Sequence, residues 1–240
     1  MAIKIWTTDI QKCFIWTTPV KSIWSWDTQV RPSWWQPWVN TIAYYPLTST
    51  TTTSDESGNW HTLYNNSVQF GTYNWVDCAN CNWSAYLYRS ESLFTWNQDF
   101  TVNFWFRRTG SYSSNWNIMT VGKRNNPNCW ISWIKPQTWT LYNGWWSNDR
   151  DTWYLVPQDA RLNIVYSYSN NNISIYVNWV SYYNGWVSYG IKTGYTAIWC
   201  WVNYENPVIW NFSNVIFENV WWIAQEVADY YNQTKANYGL

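Results

Sequence analysis

From residue 41 onward the chain is built of short runs in which apolar and polar residues alternate, separated by turns rich in Asn, Ser, Asp and Gly. Alternation with period two is the signature of half-buried strands, and many short strands with turn signals between them predict a β-sandwich or barrel. The runs place strands at 41–46, 62–70, 84–89, 99–107, 116–122, 129–134, 138–142, 152–155, 160–168, 172–178, 182–189, 195–202 and 209–218. In Phe100-Thr-Val-Asn-Phe-Trp-Phe-Arg107 polar Thr and Asn alternate with Val and Phe until the end. Only Ile223-Ala-Gln-Glu-Val-Ala-Asp-Tyr-Tyr-Asn232 carries helical spacing, with Ile223, Val227 and Tyr230 or Tyr231 on one face. That helix is expected to pack on the sandwich edge.

The entry to this pattern is Thr41-Ile-Ala-Tyr-Tyr-Pro-Leu47, a Thr/Ser run, then Asp55-Glu-Ser-Gly-Asn-Trp60. Asp and Ser can bond their own backbone two residues on, and Gly and Asn tolerate positive φ. Trp60 is the misfit, because a second Gly suits that place better. Ahead of it, Ile5-Trp-Thr-Thr-Asp-Ile10, Ile15-Trp-Thr-Thr-Pro-Val20 and Ser25-Trp-Asp-Thr-Gln-Val30 repeat at a spacing of ten residues. Each unit reads as a short strand plus turn, too small to bury a core alone. Arg31-Pro-Ser-Trp-Trp-Gln-Pro-Trp38 is a proline-punctuated linker. The division is therefore an arm and linker over 1–38 and a sandwich domain over 39–240.

Composition sharpens the misfit. The chain has 26 Trp and only 9 Gly in 240 residues, whereas a loop-rich β protein needs at least the usual ~7% Gly. Trp179 follows Asn178 where a hairpin wants Asn-Gly, and Trp210 precedes Asn211 at the start of another strand. Trp6, Trp16 and Trp26 each precede Thr or Asp at an expected turn. Two readings stay open: a protein that is truly aromatic-rich, or a UGA codon that means Gly and is written as Trp. Recoding requires Trp60, Trp179 and Trp210 to lie at turns or strand ends, with exposed rings or strained backbone. Trp105, inside an apolar strand, reads as a true Trp.

Charge narrows the partners. Fourteen basic and 14 acidic residues give a net charge of zero, so neither nucleic acid nor an anionic membrane finds a basic face. No run of 18 apolar residues and no apolar N-terminal segment is present, so neither membrane insertion nor a secretory signal is expected. The cysteines at 13, 78, 81, 129 and 200 form no framework, and Cys78-Ala-Asn-Cys81 lacks a second ligand pair. They read as ordinary thiols or one incidental disulfide, and no metal site is assigned to them.

Residues 39–235 resemble the laminin-G-like, concanavalin A-like jelly roll. The resemblance rests on Ala43-Tyr-Tyr-Pro-Leu47 with Asp55-x-Ser-Gly-Asn59, Val68-Gln-Phe-Gly71, Tyr86-Leu-Tyr88, Phe100–Arg107, Ile173-Ser-Ile-Tyr-Val-Asn178, Phe212-Ser-Asn-Val-Ile-Phe-Glu218 and Ala224-Gln-Glu-Val-Ala-Asp-Tyr-Tyr231. It implies an all-β, two-sheet antiparallel sandwich with a short C-terminal helix, a glycan- or protein-binding face and, in some members, calcium. The ten-residue repeat looks like those ahead of carbohydrate-binding-type domains in phage tail-associated proteins. That implies a virion, extracellular or cell-surface location, where homo-oligomers are common.

Catalytic patterns are missing. Hydrolases of this fold carry Glu-x-Asp-x-Glu or a near variant on one strand, and none of Glu56, Glu91, Glu205, Glu218 and Glu226 stands in such a set. His61 is the sole histidine, and neither Gly-x-Ser-x-Gly nor a phosphate loop is present. The chain therefore reads as a non-catalytic binding module, with a structural or protein–protein interaction domain as the alternative. The candidate ligand site is Tyr142, Asn143, Trp145, Trp146, Asn148, Asp149 and Asp151. Aromatic planes there suit sugar rings, the amides and carboxylates suit hydroxyls, and Asn148, Asp149 and Asp151 offer oxygens to calcium.

Overall fold

The computed structural model describes residues 14–15, 18–19, 23–25, 28–30, 40–82, 85–94, 98–109, 116–122, 129–135, 138–144, 150–187, 191, 194–198 and 209–240. The chain divides into Met1–Trp38 and Val39–Leu240.

In the first unit, β1 (Phe14–Ile15) pairs with β2 (Thr18–Pro19), and β3 (Ile23–Ser25) pairs with β4 (Thr28–Val30). The registers Ile15↔Thr18 and Ser25↔Thr28 leave two residues between the partners of each pair. Each ten-residue unit described is thus a minimal antiparallel hairpin.

The second unit holds the sandwich. Its strands are β5 (Thr41–Tyr45), β6 (Tyr64–Asn66), β7 (Gln69–Tyr73), β8 (Val76–Asn82), β9 (Tyr86–Arg89), β10 (Phe100–Thr109), β11 (Trp116–Gly122), β12 (Cys129–Ile134), β13 (Thr140–Gly144) and β14 (Arg150–Leu155). There follow β15 (Arg161–Ser169), β16 (Asn172–Val177), β17 (Val180–Trp186), β18 (Tyr195–Ile198) and β19 (Ile209–Glu218). One sheet runs β17-β16-β15-β10-β19-β8-β7 with β5 also paired to β19, and the other runs β14-β13-β12-β11-β18-β9-β6. Every pairing is antiparallel. The expected jelly-roll sandwich is what the chain forms.

The inner faces meet in one core. Phe100, Val102, Phe104 and Phe106 from alternate positions of β10 join Phe212 and Phe217 of β19, Tyr166 of β15 and Trp130 of β12. The Ser132 and Tyr166 hydroxyls, 2.6 Å apart, link the two sheets across this core.

The polar face of β10 is buried too, because the C-terminal helix α1 (Ala224–Thr234) and the 3-10 turn Lys235–Tyr238 lie over it. Trp105 stacks on Tyr238 at 3.9 Å and on Tyr231 at 5.9 Å between ring centroids. Beneath the helix the polar groups pair with one another. Asn163 Nδ2 donates to Asn103 Oδ1 at 2.7 Å. The Trp222 N–H donates to Ser167 Oγ at 2.7 Å, and Ser167 Oγ donates back to the Trp222 carbonyl at 2.9 Å. The helix therefore covers the middle of a sheet, not the edge. Val227 and Tyr230 face inward as expected, but Ile223 is the exposed N-cap.

β8 is an addition to the expected strands. It places Cys78 and Cys81 on opposite faces, Cys81 in the main core and Cys78 against Trp105 and Tyr238. Three residues apart on a strand, the two thiols cannot share a ligand. Among the described residues no cluster of three His, Cys, Asp or Glu side chains could hold a metal, and no helix is long and apolar enough to cross a membrane.

Candidate functional site

The entry loop is stitched to β5 by the side chains that its sequence nominates. Asp55 Oδ1 accepts the N–H groups of Tyr44 at 3.0 Å and Ser57 at 2.9 Å, and Oδ2 accepts that of His61 at 2.8 Å. Ser57 Oγ accepts the Asn59 N–H, and Asn59 Nδ2 reaches back to the Thr41 carbonyl at 2.7 Å. His61 is held there by its backbone, and burial lowers its pKa. Among the described contacts, the Asp55 carboxylate meets it through the backbone N–H and not through a bond to the imidazole.

The expected ligand site falls on the hairpin of β13 and β14. Tyr142 and Asp151 are cross-strand partners, and Trp133 of β12 pairs with Tyr142 from the other side. Their side chains share the outer face of the sheet, opposite Ser132 and Leu141. The Trp133 and Tyr142 rings meet edge to face at 5.7 Å and 84°. Lys135 Nζ lies 5.3 Å from the Tyr142 ring centroid and donates to its hydroxyl at 3.4 Å. Burial raises the Tyr142 pKa and the Lys135 bond opposes the rise. Asp151 Oδ2 accepts from Thr140 Oγ1 at 3.3 Å, and Thr138 and Thr140 hydroxyls sit 2.8 Å apart. The result is an aromatic corner edged by an ammonium, a carboxylate and two hydroxyls.

Asn143 must be removed from the expected set. Side chains alternate along a strand, so Asn143 points to the opposite face from Tyr142, and it is fully buried. Trp145, Trp146, Asn148 and Asp149 lie outside the described residues, and with them most of the oxygens offered to calcium. Sequence reading missed Trp133 and Lys135, which reach the site only through strand register.

Glu218, at the end of β19, is buried and accepts hydrogen bonds from the Trp222 indole N–H and from Thr41 Oγ1. Burial pushes its carboxyl up from 4.5 to about 7, the two hydrogen bonds opposing the rise. Both of its oxygens are engaged inside the seam between sheet and helix, a structural position.

Neither a protein-family profile nor a curated protein sequence matches the chain. Solved structures do. A structure of botulinum neurotoxin type C, whose cell entry depends on interaction with two ganglioside molecules, matches with a TM-score of 0.63 at 14% identity. The match covers 80% of this chain and 51% of that one, so this chain spans about half the length of the toxin chain. The binding domain of botulinum neurotoxin DC in complex with rat synaptotagmin II matches with a TM-score of 0.61 at 13% identity, over 80% and 51% of the two chains. Domain 4 of AbnA, a GH43 extracellular arabinanase from Geobacillus stearothermophilus, in complex with arabinotriose, matches with a TM-score of 0.62 at 17% identity, over 79% and 97%. These likenesses establish the jelly-roll sandwich as the class of fold.

Proposed function

We propose that the chain is a non-catalytic module that binds glycan on an extracellular or virion surface, with the arm of short hairpins as its attachment. The observation that carries this reading is the corner of Trp133, Tyr142, Lys135, Asp151 and Thr140 on the outer face of the seven-stranded sheet. An aromatic plane takes the apolar face of a sugar, while ammonium, carboxylate and hydroxyl groups take its hydroxyls. The fold neighbours include a domain in complex with arabinotriose and a toxin that interacts with gangliosides, which supports the same reading. Titration against a glycan panel containing arabinotriose and ganglioside oligosaccharides is the test. Binding that Tyr142→Ala and Trp133→Ala both weaken is expected; no binding to any glycan overturns the reading.

The alternative, a protein–protein interaction domain, draws support from β17. This edge strand is largely exposed, carries no charge, and presents Val180, Tyr182 and Trp186. An uncovered apolar edge invites pairing with another chain. Retained binding to a surface protein, with no glycan bound, would favour it.

We also infer that several Trp stand where the encoded protein has Gly. In two hairpins the residues between cross-strand partners, Asn74-Trp75 and Asn178-Trp179, both have positive φ, at 52° and 70°, and at 48° and 67°. That is the type I′ turn, whose preferred pair is Asn-Gly. Trp60 has φ 63° directly after Gly58 and Asn59. Trp153, at φ 57°, lies where β14 shifts register against β13, a place that favours Gly in the left-handed region. Trp210 is a correction to the expected set: it is 1% exposed, within β19, with its ring 4.8 Å from that of Phe106. The coding DNA and peptide masses of the native protein are the test. UGG codons and Trp-containing peptides at 60, 75, 153 and 179 overturn the inference.

A further inference from the structure

A second aromatic surface lies at the far end of the same sheet. Tyr64 of β6 is the cross-strand partner of Tyr88 of β9, and Asn66 is the partner of Tyr86. The three tyrosines therefore share one face, opposite the buried core residue Leu87. Their rings form a ladder, with Tyr64 to Tyr88 at 5.4 Å and 37°, then Tyr88 to Tyr86 at 5.5 Å and 51°. Tyr64 is 61% exposed and Tyr88 37%, so two neighbouring rings face solvent together.

The chemistry of this face selects its ligand. Among the described residues no charged side chain belongs to it: Arg89, two residues beyond Leu87, points to the other face and pairs with Glu91. On the sheet side, Tyr88 pairs with Ala197, which is buried, so the exposed part of the ladder is its Tyr64 end. What remains is a row of three phenols bordered by the Asn66 amide. A nucleic acid or an anionic lipid headgroup would need cations here. A helix or strand of a protein partner would need a wider apolar area than three rings provide. A neutral oligosaccharide needs apolar ring faces in series with neutral donors and acceptors at their edges, which is what this face offers.

We propose that Tyr64, Tyr88 and Tyr86 form a stacking platform for a neutral oligosaccharide chain, separate from the corner at Tyr142. This rests on the reading of the chain as a glycan-binding module and adds a second binding region to it. None of the three residues is a tryptophan, so the platform is the same whichever residues the encoded chain carries at the left-handed turns. Tyr64 and Tyr88 lie on the two strands that end the sheet, so the ladder runs to the sheet edge.

The test uses the full chain and isothermal titration with arabinotriose, xylohexaose, cellohexaose and chitohexaose. Tyr64→Ala with Tyr88→Ala is expected to weaken binding of at least one hexasaccharide by about tenfold, the loss of two stacked rings. Tyr64→Phe with Tyr88→Phe keeps the planes and is expected to stay within about threefold of the parent. A melting temperature equal to the parent's for both variants separates this from misfolding, which the exposure of Tyr64 makes a small risk. If the parent binds and Tyr142→Ala weakens it while the double Ala variant does not, the platform is overturned and the Tyr142 site stands. A Phe variant as weak as the Ala variant overturns stacking as the mode. If the parent binds none of the four, nor any member of the wider glycan panel, both proposals fall together.

Discussion

Trp105 and Trp75 carry the same side chain into opposite physical situations. Trp105 is fully buried in β10, in extended backbone, sandwiched against Tyr238 and Tyr231. Trp75 is 94% exposed at a left-handed position of a two-residue hairpin. The first case gains apolar burial and ring contacts; the second gains neither and bears the steric cost of a Cβ at positive φ. Six of the other tryptophans sort along the same line, whereas Trp186 and Trp221 are exposed without positive φ. Trp130, Trp210 and Trp222 are buried in ordinary backbone, while Trp60, Trp153 and Trp179 are exposed with positive φ. Residue type alone therefore says little here. Backbone conformation and burial together separate tryptophans that hold the fold from tryptophans that the fold merely tolerates.

The largest expected effect sharpens the buried side of that contrast. Trp105→Ala leaves the helix without its main contact on the sheet, and Trp210→Gly opens a hole beside Phe106 and Phe212. Each is expected to cost about 3–5 kcal/mol in chemical denaturation, the range for deleting a large buried ring. A cost below about 1 kcal/mol at Trp210 would set it apart from Trp105 and return it to the positions proposed to be glycine.

The next effect concerns Trp222, whose indole donates to buried Glu218. The Glu218 pKa is raised from 4.5 to about 7 by burial. The folded state thus holds this proton more tightly than the unfolded chain does. The stability it contributes is full below pH 4.5 and is lost as pH rises through about 7. Among the described residues, Glu226 on the first turn of α1 is the carboxylate that acts on it, and it raises the value further. Glu218→Gln mimics the protonated acid and keeps an acceptor for the indole. The variant is expected to gain on the parent as pH rises from about 5 to 8, by on the order of 3 kcal/mol. A gap between the two melting curves that does not change with pH would show that Glu218 stays ionised in the fold.

How much of this could be read in the sequence depends on range. The Asp55–Asn59 loop and the hairpin of β16 and β17 are local, and their turn chemistry was legible because side chain and backbone meet within a few residues. Asn74-Trp75 carries the same signal as Asn178-Trp179 and was open to the same reading. β8 was not legible, because Val76-Asp-Cys-Ala-Asn-Cys-Asn82 has only Val76 of the β-branched and aromatic residues that mark a strand, and it forms through its pairing with β19 and β7. Trp210 deceived for a related reason. Next to Asn211 it looks like a strand end, yet its register against Arg108 and Cys81 places it between two neighbours inside a sheet. The candidate site divides in the same way: the Tyr142–Asp151 pair belongs to one hairpin, whereas Trp133 joins through a further strand, and the ladder of Tyr64 and Tyr88 exists only through pairing.

A smaller effect tests the exposed side. Trp60, Trp75, Trp153 and Trp179 each bear a left-handed backbone cost of about 1–2 kcal/mol. Substituting Gly removes it but loosens the unfolded chain by roughly 0.5–1 kcal/mol. Each Trp→Gly change is therefore expected to stabilise by a few tenths to about 1 kcal/mol. Ala at the same positions keeps the Cβ and removes only the ring. If Ala stabilises as much as Gly at Trp75, exposed apolar surface and not backbone conformation was the cost, and the case for glycine weakens.

Trp139 is where the contrast is least secure, and so where the smallest effect is the most informative. Its φ is 59°, which places it with the misfits, but its ring packs on the core and the Arg108 guanidinium lies 4.1 Å above it. Glycine there would relieve the backbone by about as much as at Trp75, and would lose a cation–π contact of roughly 0.5–1 kcal/mol along with some apolar burial. The two terms oppose each other, so Trp139→Gly is expected to change stability by less than about 1 kcal/mol in either direction. Combining it with Arg108→Ala resolves them. In the Arg108→Ala background the loss of the stacking contact no longer counts, and the glycine substitution should turn more favourable by about that contact's worth. An unchanged effect in both backgrounds would mean that Arg108 gains nothing from the ring, and Trp139 would then belong with Trp60, Trp75, Trp153 and Trp179.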